Sequence, residues 1–326
     1  MDLATDYLGL RLRNPLVASA SPLSQTVDGI RGLADAGIGA VVMYSEFEEQ
    51  LGDGRIPDND QGAGDHRDGP QRAEQLSPRE YLALLEQARS AVDVPVIGSV
   101  NGATAGGWVR HARAMQDAGA SAVELNVYWI PGPGVSASEV ENRHVEVLSA
   151  VKAAVSVPVA VKLSPFFIAS GEVALRLDAA GADGLVLFNR FLHPDIDPDT
   201  LKLVPTLDLS SPAEARLART WISLLRRRVQ GSLAATTGVE DAADVARYLL
   251  AGADVVMTAS ALLRHGVGHV GTLLAGLHEW MTWKGFDSVD SVRGLLSVPA
   301  DTDPVAYARA GYVSVLEAAK FSHSRW

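Results

Sequence analysis

Asn101, Asn126, Asn189, Lys162, Tyr44 and Tyr128 each stand at or just past the end of a short apolar run. Carboxamides read ring amides through paired donors and acceptors, and a phenol, protonated at pH 7, serves better as a proton donor than as a base. A lysine at the end of a buried strand needs an anionic partner, which is either a ligand or a carboxylate in a rim salt bridge. The chain has no cysteine, which removes disulfides, thiolate nucleophiles and any iron–sulfur cluster held by its own residues. A net charge of -11 over 326 residues opposes a phosphate backbone, and Arg226, Arg227 and Arg228 read as the solvated end of a helix. A small molecule is therefore the expected ligand, with no nucleic acid and no membrane. The opening Met1-Asp2-Leu3-Ala4-Thr5-Asp6 shows no apolar leader, and no run has the length of a membrane span, so a cytoplasmic location is expected.

The elements that position these residues follow from a weak internal repeat. Four times an amphipathic helix ends in Ala-Gly and leads within a few residues into an apolar run, at Gly37, Gly119, Gly181 and Gly252. Glycine past a helix end takes the left-handed conformation without a Cβ penalty, and a wholly apolar run suits a parallel strand buried on both faces. Val94-Pro95 and Val157-Pro158 introduce two further strands, since proline at a first strand position loses no ladder donor. With 15–19 and 232–236 the strand candidates number eight, each followed by a helical pattern, at 26–36, 78–92, 105–118, 138–155, 171–180, 212–229, 241–250 and 268–283. Eight such units predict an α/β fold, a (β/α)8 TIM barrel, in preference to an open doubly wound sheet. The barrel is expected over 1–285, with a helical extension over 286–326, packed on the barrel or at a subunit contact. Residues 46–76, rich in Gly, Asp, Glu and Pro, are expected to form a lid.

Barrel enzymes build their sites from strand C-termini. Here those ends offer Ser19, Ala20 and Ser21, then Tyr44 and Ser45, Asn101, Asn126 with Tyr128, Lys162 with Ser164, Asn189 with Arg190, Thr236 with Thr237 and Gly238, and Ala259 with Ser260.

In the opening stretch, Tyr7-Leu8-Gly9-Leu10-Arg11-Leu12-Arg13-Asn14-Pro15-Leu16 is followed by Ser19-Ala20-Ser21-Pro22-Leu23. With Val161-Lys162-Leu163-Ser164-Pro165, Gly184-Leu185-Val186-Leu187-Phe188-Asn189, Ala235-Thr236-Thr237-Gly238-Val239 and Met257-Thr258-Ala259-Ser260-Ala261-Leu262, it resembles the dihydroorotate dehydrogenase family over most of the barrel. The resemblance implies an N-terminal hairpin plugging the barrel and FMN as cofactor. Flavin would be held by Ser19, Ala20, Ser21, Tyr44, Ser45, Asn101, Asn126, Lys162 and Asn189, with Thr237, Gly238, Ala259 and Ser260 at its phosphate. Lys162 is assigned to the ring near N1 and the C2 carbonyl. The family carries a Cys or Ser base in the fourth loop, where this chain has Asn126-Val127-Tyr128-Trp129-Ile130-Pro131, and a lysine after the second strand, where it has Tyr44. Neither Trp129 nor Ile130 accepts a proton. The expected reaction is therefore hydride transfer between flavin N5 and a dihydropyrimidine-like or enone-like substrate, with Tyr128, Lys162 and Asn126 catalytic. Tyr128 acts as the acid or, with Trp129, stacks on ligand. Asn126, Asn189, Arg190 and Trp129 are assigned to substrate, Arg190 to a carboxylate unless it forms a surface ion pair. The resemblance also implies pyrimidine metabolism, a homodimer and a possible redox partner protein. Two rival readings are a flavin-binding electron-transfer subunit without a substrate of its own and a lyase using Lys162 as a Schiff base.

Three further patterns are read as incidental. Gly266-Val267-Gly268-His269-Val270-Gly271 matches a dinucleotide fingerprint outside a βαβ context. His265 and His269 have metal-binding spacing but no third ligand, so no metal is expected and both are placed at the solvent. Glu46, Glu48 and Glu49 read as a solvated charged loop.

Overall fold

The computed structural model describes residues 1–47, 76–102, 107–128, 131–190, 192 and 194–323. The chain opens with an antiparallel hairpin, β1 (Thr5–Tyr7) and β2 (Leu10–Leu12), with Tyr7 opposite Leu10. Leu8 and Gly9 both have positive φ, 54° and 73°, as a two-residue turn matched to strand twist requires. The strands that follow are β3 (Leu16–Ala18), β4 (Ala40–Val42), β5 (Glu46–Phe47), β6 (Val96–Gly102), β7 (Ala122–Val127), β8 (Val159–Leu163), β9 (Gly184–Leu187), β10 (Asp195–Asp197), β11 (Lys202–Val204), β12 (Ser232–Ala235) and β13 (Val255–Thr258). Eight of them, β3, β4, β6, β7, β8, β9, β12 and β13, pair in that order, all parallel, and β13 returns to β3. The barrel is closed, as the eightfold repeat predicts.

Helices lie between the strands: α1 (Val27–Asp35), α2 (Pro78–Ala91), α3 (Trp108–Asp117), α4 (Ala137–Lys152), α5 (Ser170–Ala179), α6 (Ala215–Leu225) and α7 (Ala242–Ala251). Beyond β13 come α8 (Ser260–His265), α9 (His269–Lys284), α10 (Val289–Val292) and α11 (Pro304–His323). Gly37, Gly119, Gly181 and Gly252 have φ between 92° and 123°, so the Ala-Gly repeat marks helix ends as anticipated. The expected helix at 212–229 starts as a 3-10 turn, Pro212–Glu214, because Pro212 pre-sets φ and Ser211 with Glu214 makes a capping box.

Period-two alternation in the strands produces two cores. Outward residues such as Leu16, Val41, Leu125 and Leu163 meet the helices, while inward Val17, Val42, Ile97, Ala160, Val186 and Met257 pack with Tyr7, Leu8 and Leu12 of the hairpin. The hairpin thus closes one end of the barrel. Leu8 reaches so far that a Cβ on Gly184 of β9 would sit 2.5 Å from its Cδ2. At the same end Asp254 accepts from Arg226 at 2.9 Å and from the backbone N–H of Leu233 at 2.7 Å, with Arg293 at 3.3 Å.

Several features differ from the sequence reading. The exposed hairpin β10–β11, the short helices α8 and α10, and β5 are additional elements. Glu46 is not solvated: it pairs in β5 and is 2% exposed, with its Oε2 3.2 Å from Nδ1 of His111. Residues 48–75 of the expected lid, with Glu48 and Glu49, lie outside the described residues. His265 is exposed, as expected, and lies 2.6 Å from a Glu240 carboxylate oxygen, whereas His269 is half-buried with its Nε2 2.8 Å from the Glu240 carbonyl. The side chains of α11 from Pro304 to Ala318 are exposed. No helix among the described residues is long and apolar enough to cross a membrane.

Candidate active site

At the C-terminal ends of the barrel strands, opposite the hairpin, lies a cavity of about 500 Å3. Ligand pockets commonly have about 300–1,000 Å3, so a tricyclic ring with a side chain fits this range. Its lining includes Ser19, Ala20, Ser21, Tyr44, Ser45, Asn101, Asn126, Tyr128, Lys162, Asn189, Arg190, Thr237, Gly238, Ala259 and Ser260. These are the expected site residues apart from Trp129, which lies outside the described residues. Apolar walls come from Phe47, Phe188, Leu192, Leu207, Leu209 and Leu263.

The floor is built by two neighbouring strands. Asn126 of β7 is in register with Lys162 of β8, and both side chains point inward. Two residues earlier on β7, and therefore on the same face, Glu124 is 1% exposed with Oε1 3.7 Å from Lys162 Nζ. Burial pushes the Glu124 carboxyl above its ordinary range, against the pull of Lys162. Among the described residues the Lys162 ammonium also meets Ser19 Oγ, at 3.5 Å. Both distances are long for charge-assisted hydrogen bonds, which leaves the ammonium able to bind an acceptor from the cavity.

The remaining polar groups are held in place. Asn189 Nδ2 donates to Asn126 Oδ1 at 3.0 Å, and Ser45 and Ser99 share a 2.8 Å hydroxyl contact. The Tyr128 hydroxyl donates to the Leu192 carbonyl at 2.9 Å and accepts from the Leu192 N–H at 3.3 Å, fastening the loop after β9 to the end of β7. Tyr44 is half-buried, and burial raises its phenol above the ordinary value. Arg190 donates to the Asp208 carbonyl and lies 3.2 Å from Glu214. Burial works against the Glu214 carboxylate, but the Ser211 N–H and Arg190 outweigh it and hold its pKa below the usual range.

Ser210 and Glu124 are site residues that sequence reasoning missed. Ser210 Oγ accepts from the Gly238 N–H at 3.1 Å, and its own N–H donates to Ser260 Oγ at 3.0 Å, linking the two loops assigned to phosphate. No local signal distinguished it. Glu124 did carry one, a lone charge in an apolar run at strand spacing from Asn126. At Gly238, with φ 69°, an added Cβ would lie 2.6 Å from the Ser211 carbonyl oxygen. Gly238→Ala is expected to cost about 2 kcal/mol through strain and overlap, read as a lower thermal unfolding midpoint. An unchanged midpoint would contradict the tight approach.

A closed barrel with such a mouth defines a (β/α)8 oxidoreductase-type site once the comparisons are added. The family model described as dihydroorotate dehydrogenase matches residues 71–281. The catalytic subunit of dihydroorotate dehydrogenase B (NAD(+)) of Methanothermobacter thermautotrophicus is 30% identical over 308 residues, covering 90% of this chain and 98% of that one. Its counterpart from Thermoplasma acidophilum is 27% identical over 301 residues, with the same coverages of 90% and 98%. The NAD-dependent dihydropyrimidine dehydrogenase subunit PreA of Escherichia coli is 24% identical over 334 residues, covering 92% and 79%. The chain belongs to the dihydroorotate dehydrogenase family. It is accordingly an oxidoreductase.

Proposed function

We propose that the chain is an FMN-dependent oxidoreductase acting on a neutral dihydropyrimidine-like ring. The observation that carries this is the Lys162 ammonium on the cavity floor, whose contacts among the described residues are no shorter than 3.5 Å and which faces room for a flavin. When bound, FMN would supply two-electron hydride chemistry at N5. Lys162 would hold the ring edge, with Ser210, Gly238 and Ser260 near its phosphate. Asn101, Asn126 and Asn189 are suited to orient the amide groups of a substrate ring.

Charge argues for a neutral substrate. Among the described residues the two cations lining the cavity, Lys162 and Arg190, already face Glu124 and Glu214. A carboxylate such as that of dihydroorotate would have to displace Glu214 from Arg190, and Tyr44 adds no charge where the family has a lysine. Tyr128 is the proton donor in the ring-reducing direction, with Leu192 holding its phenol at the cavity. The relatives are named as subunits, which supports a partner protein that exchanges electrons with the flavin, and the chain is proposed to form homodimers.

The test is the visible spectrum of the purified protein, before and after reconstitution with FMN, followed by anaerobic addition of substrates. A neutral dihydropyrimidine should bleach bound flavin, and dihydroorotate should not. Protein that takes up no flavin would end the reading. Tyr128→Phe should slow reoxidation of reduced flavin by candidate enones about 100-fold, the lower range for loss of a general acid. Unchanged rates would exclude the acid role.

A further inference from the structure

Glu124 is a carboxylate that the proposed turnover does not employ. It lies inside the barrel one layer below Asn126, and its Oε1 has no hydrogen-bond partner among the described residues, Lys162 Nζ standing 3.7 Å away. Among the described residues, Lys162 on β8, Tyr7 on the hairpin and Tyr81 on α2 interact electrostatically with Glu124. Burial raises both phenols, so they stay neutral and Lys162 is the one charge that faces Glu124 among them. Ser99, in register with Glu124 on β6, is uncharged.

On the strength of the FMN reading, we infer that Glu124 is the group that takes up a proton when flavin held by Lys162 is reduced. With oxidised flavin, ammonium and carboxylate cancel. Reduction by a dihydropyrimidine would move a hydride, two electrons and one proton, to N5, and the substrate would release a second proton to water at the cavity mouth as its ring C–C bond becomes double. The flavin ring then carries one negative charge beside Lys162. A proton from the mouth settles on Glu124, so the site gains two electrons and two protons and its net charge is unchanged. A buried site resists an uncompensated charge, which is the driving force for this uptake. The already raised carboxyl of Glu124 makes the proton easier to accept.

The experiment is the midpoint potential of the FMN-loaded protein as a function of pH, from neutral to mildly alkaline, which reads protons per electron without turnover. A two-electron couple moves about 30 mV per tenfold change, so two protons give about 60 mV per pH unit and one proton about 30 mV. Wild type should follow the steeper slope, Glu124→Gln the shallower, and Glu124→Asp should keep the steeper one. A wild-type slope of about 30 mV, or equal slopes in wild type and Glu124→Gln, would overturn the assignment while leaving flavin binding intact. If Glu124→Gln does not fold, the wild-type and Glu124→Asp slopes still decide. Absence of the bound-flavin spectrum would instead remove the cofactor reading, and this inference with it.

Discussion

Lys162→Met is expected to lower FMN affinity at least tenfold and to destabilise the protein by about 3 kcal/mol, because it strands Glu124 in the barrel without its counter-charge. Fluorescence titration with FMN and thermal unfolding of the flavin-free protein measure the two effects separately. The pH dependence has a definite sign. Without Lys162 the Glu124 carboxyl would rise further above its unfolded value, 4.5. A group raised in the folded state favours folding when protonated, and that contribution is lost as pH rises through the folded pKa. The variant should therefore approach wild-type stability in mild acid and fall behind it toward alkaline pH. A stability gap independent of pH would show that Glu124 does not face Lys162 as described, and undiminished FMN affinity would remove Lys162 from the cofactor site.

Asp254→Ala acts at the opposite end and should affect stability alone. Asp254 gathers Arg226 from the end of α6, Arg293 after α10 and the Leu233 N–H of β12, and its carbonyl accepts from Thr5 Oγ1 of β1 at 3.0 Å. Removing the carboxylate leaves the Arg226 guanidinium and the Leu233 N–H without this partner, while Arg293 keeps Thr5 and Asp290. The expected loss is about 3–5 kcal/mol, a melting point lower by several degrees, with FMN affinity unchanged. Asp254→Asn, which keeps an acceptor for the Leu233 N–H, should lose less. A melting point within error of wild type for Asp254→Ala would mean that the hairpin plug and α10 are held without this network.

Local chemistry wrote the barrel into the sequence. Ala-Gly pairs end helices because glycine alone reaches positive φ cheaply, Val-Pro pairs start strands, and apolar runs of four or five residues are buried on both faces of a parallel strand. Counting those units gives eight, and the polar residue after each run gives most of the cavity lining. What lay beyond reach is pairing between distant segments. Glu124 meets Lys162 through the register of two strands, Glu214 meets Arg190 across a loop, and Ser210 is carried onto Gly238 and Ser260 by a connection that no periodicity describes. The hairpin β10–β11 escaped for a related reason: its side chains are largely exposed, so burial imposes no alternation on them. Residue types and strand ends are properties of a few consecutive positions, and the sequence determined those by itself. Which charge neutralises which depends on barrel closure, because strand register and layer height set distances between side chains, and only the tertiary structure decided that.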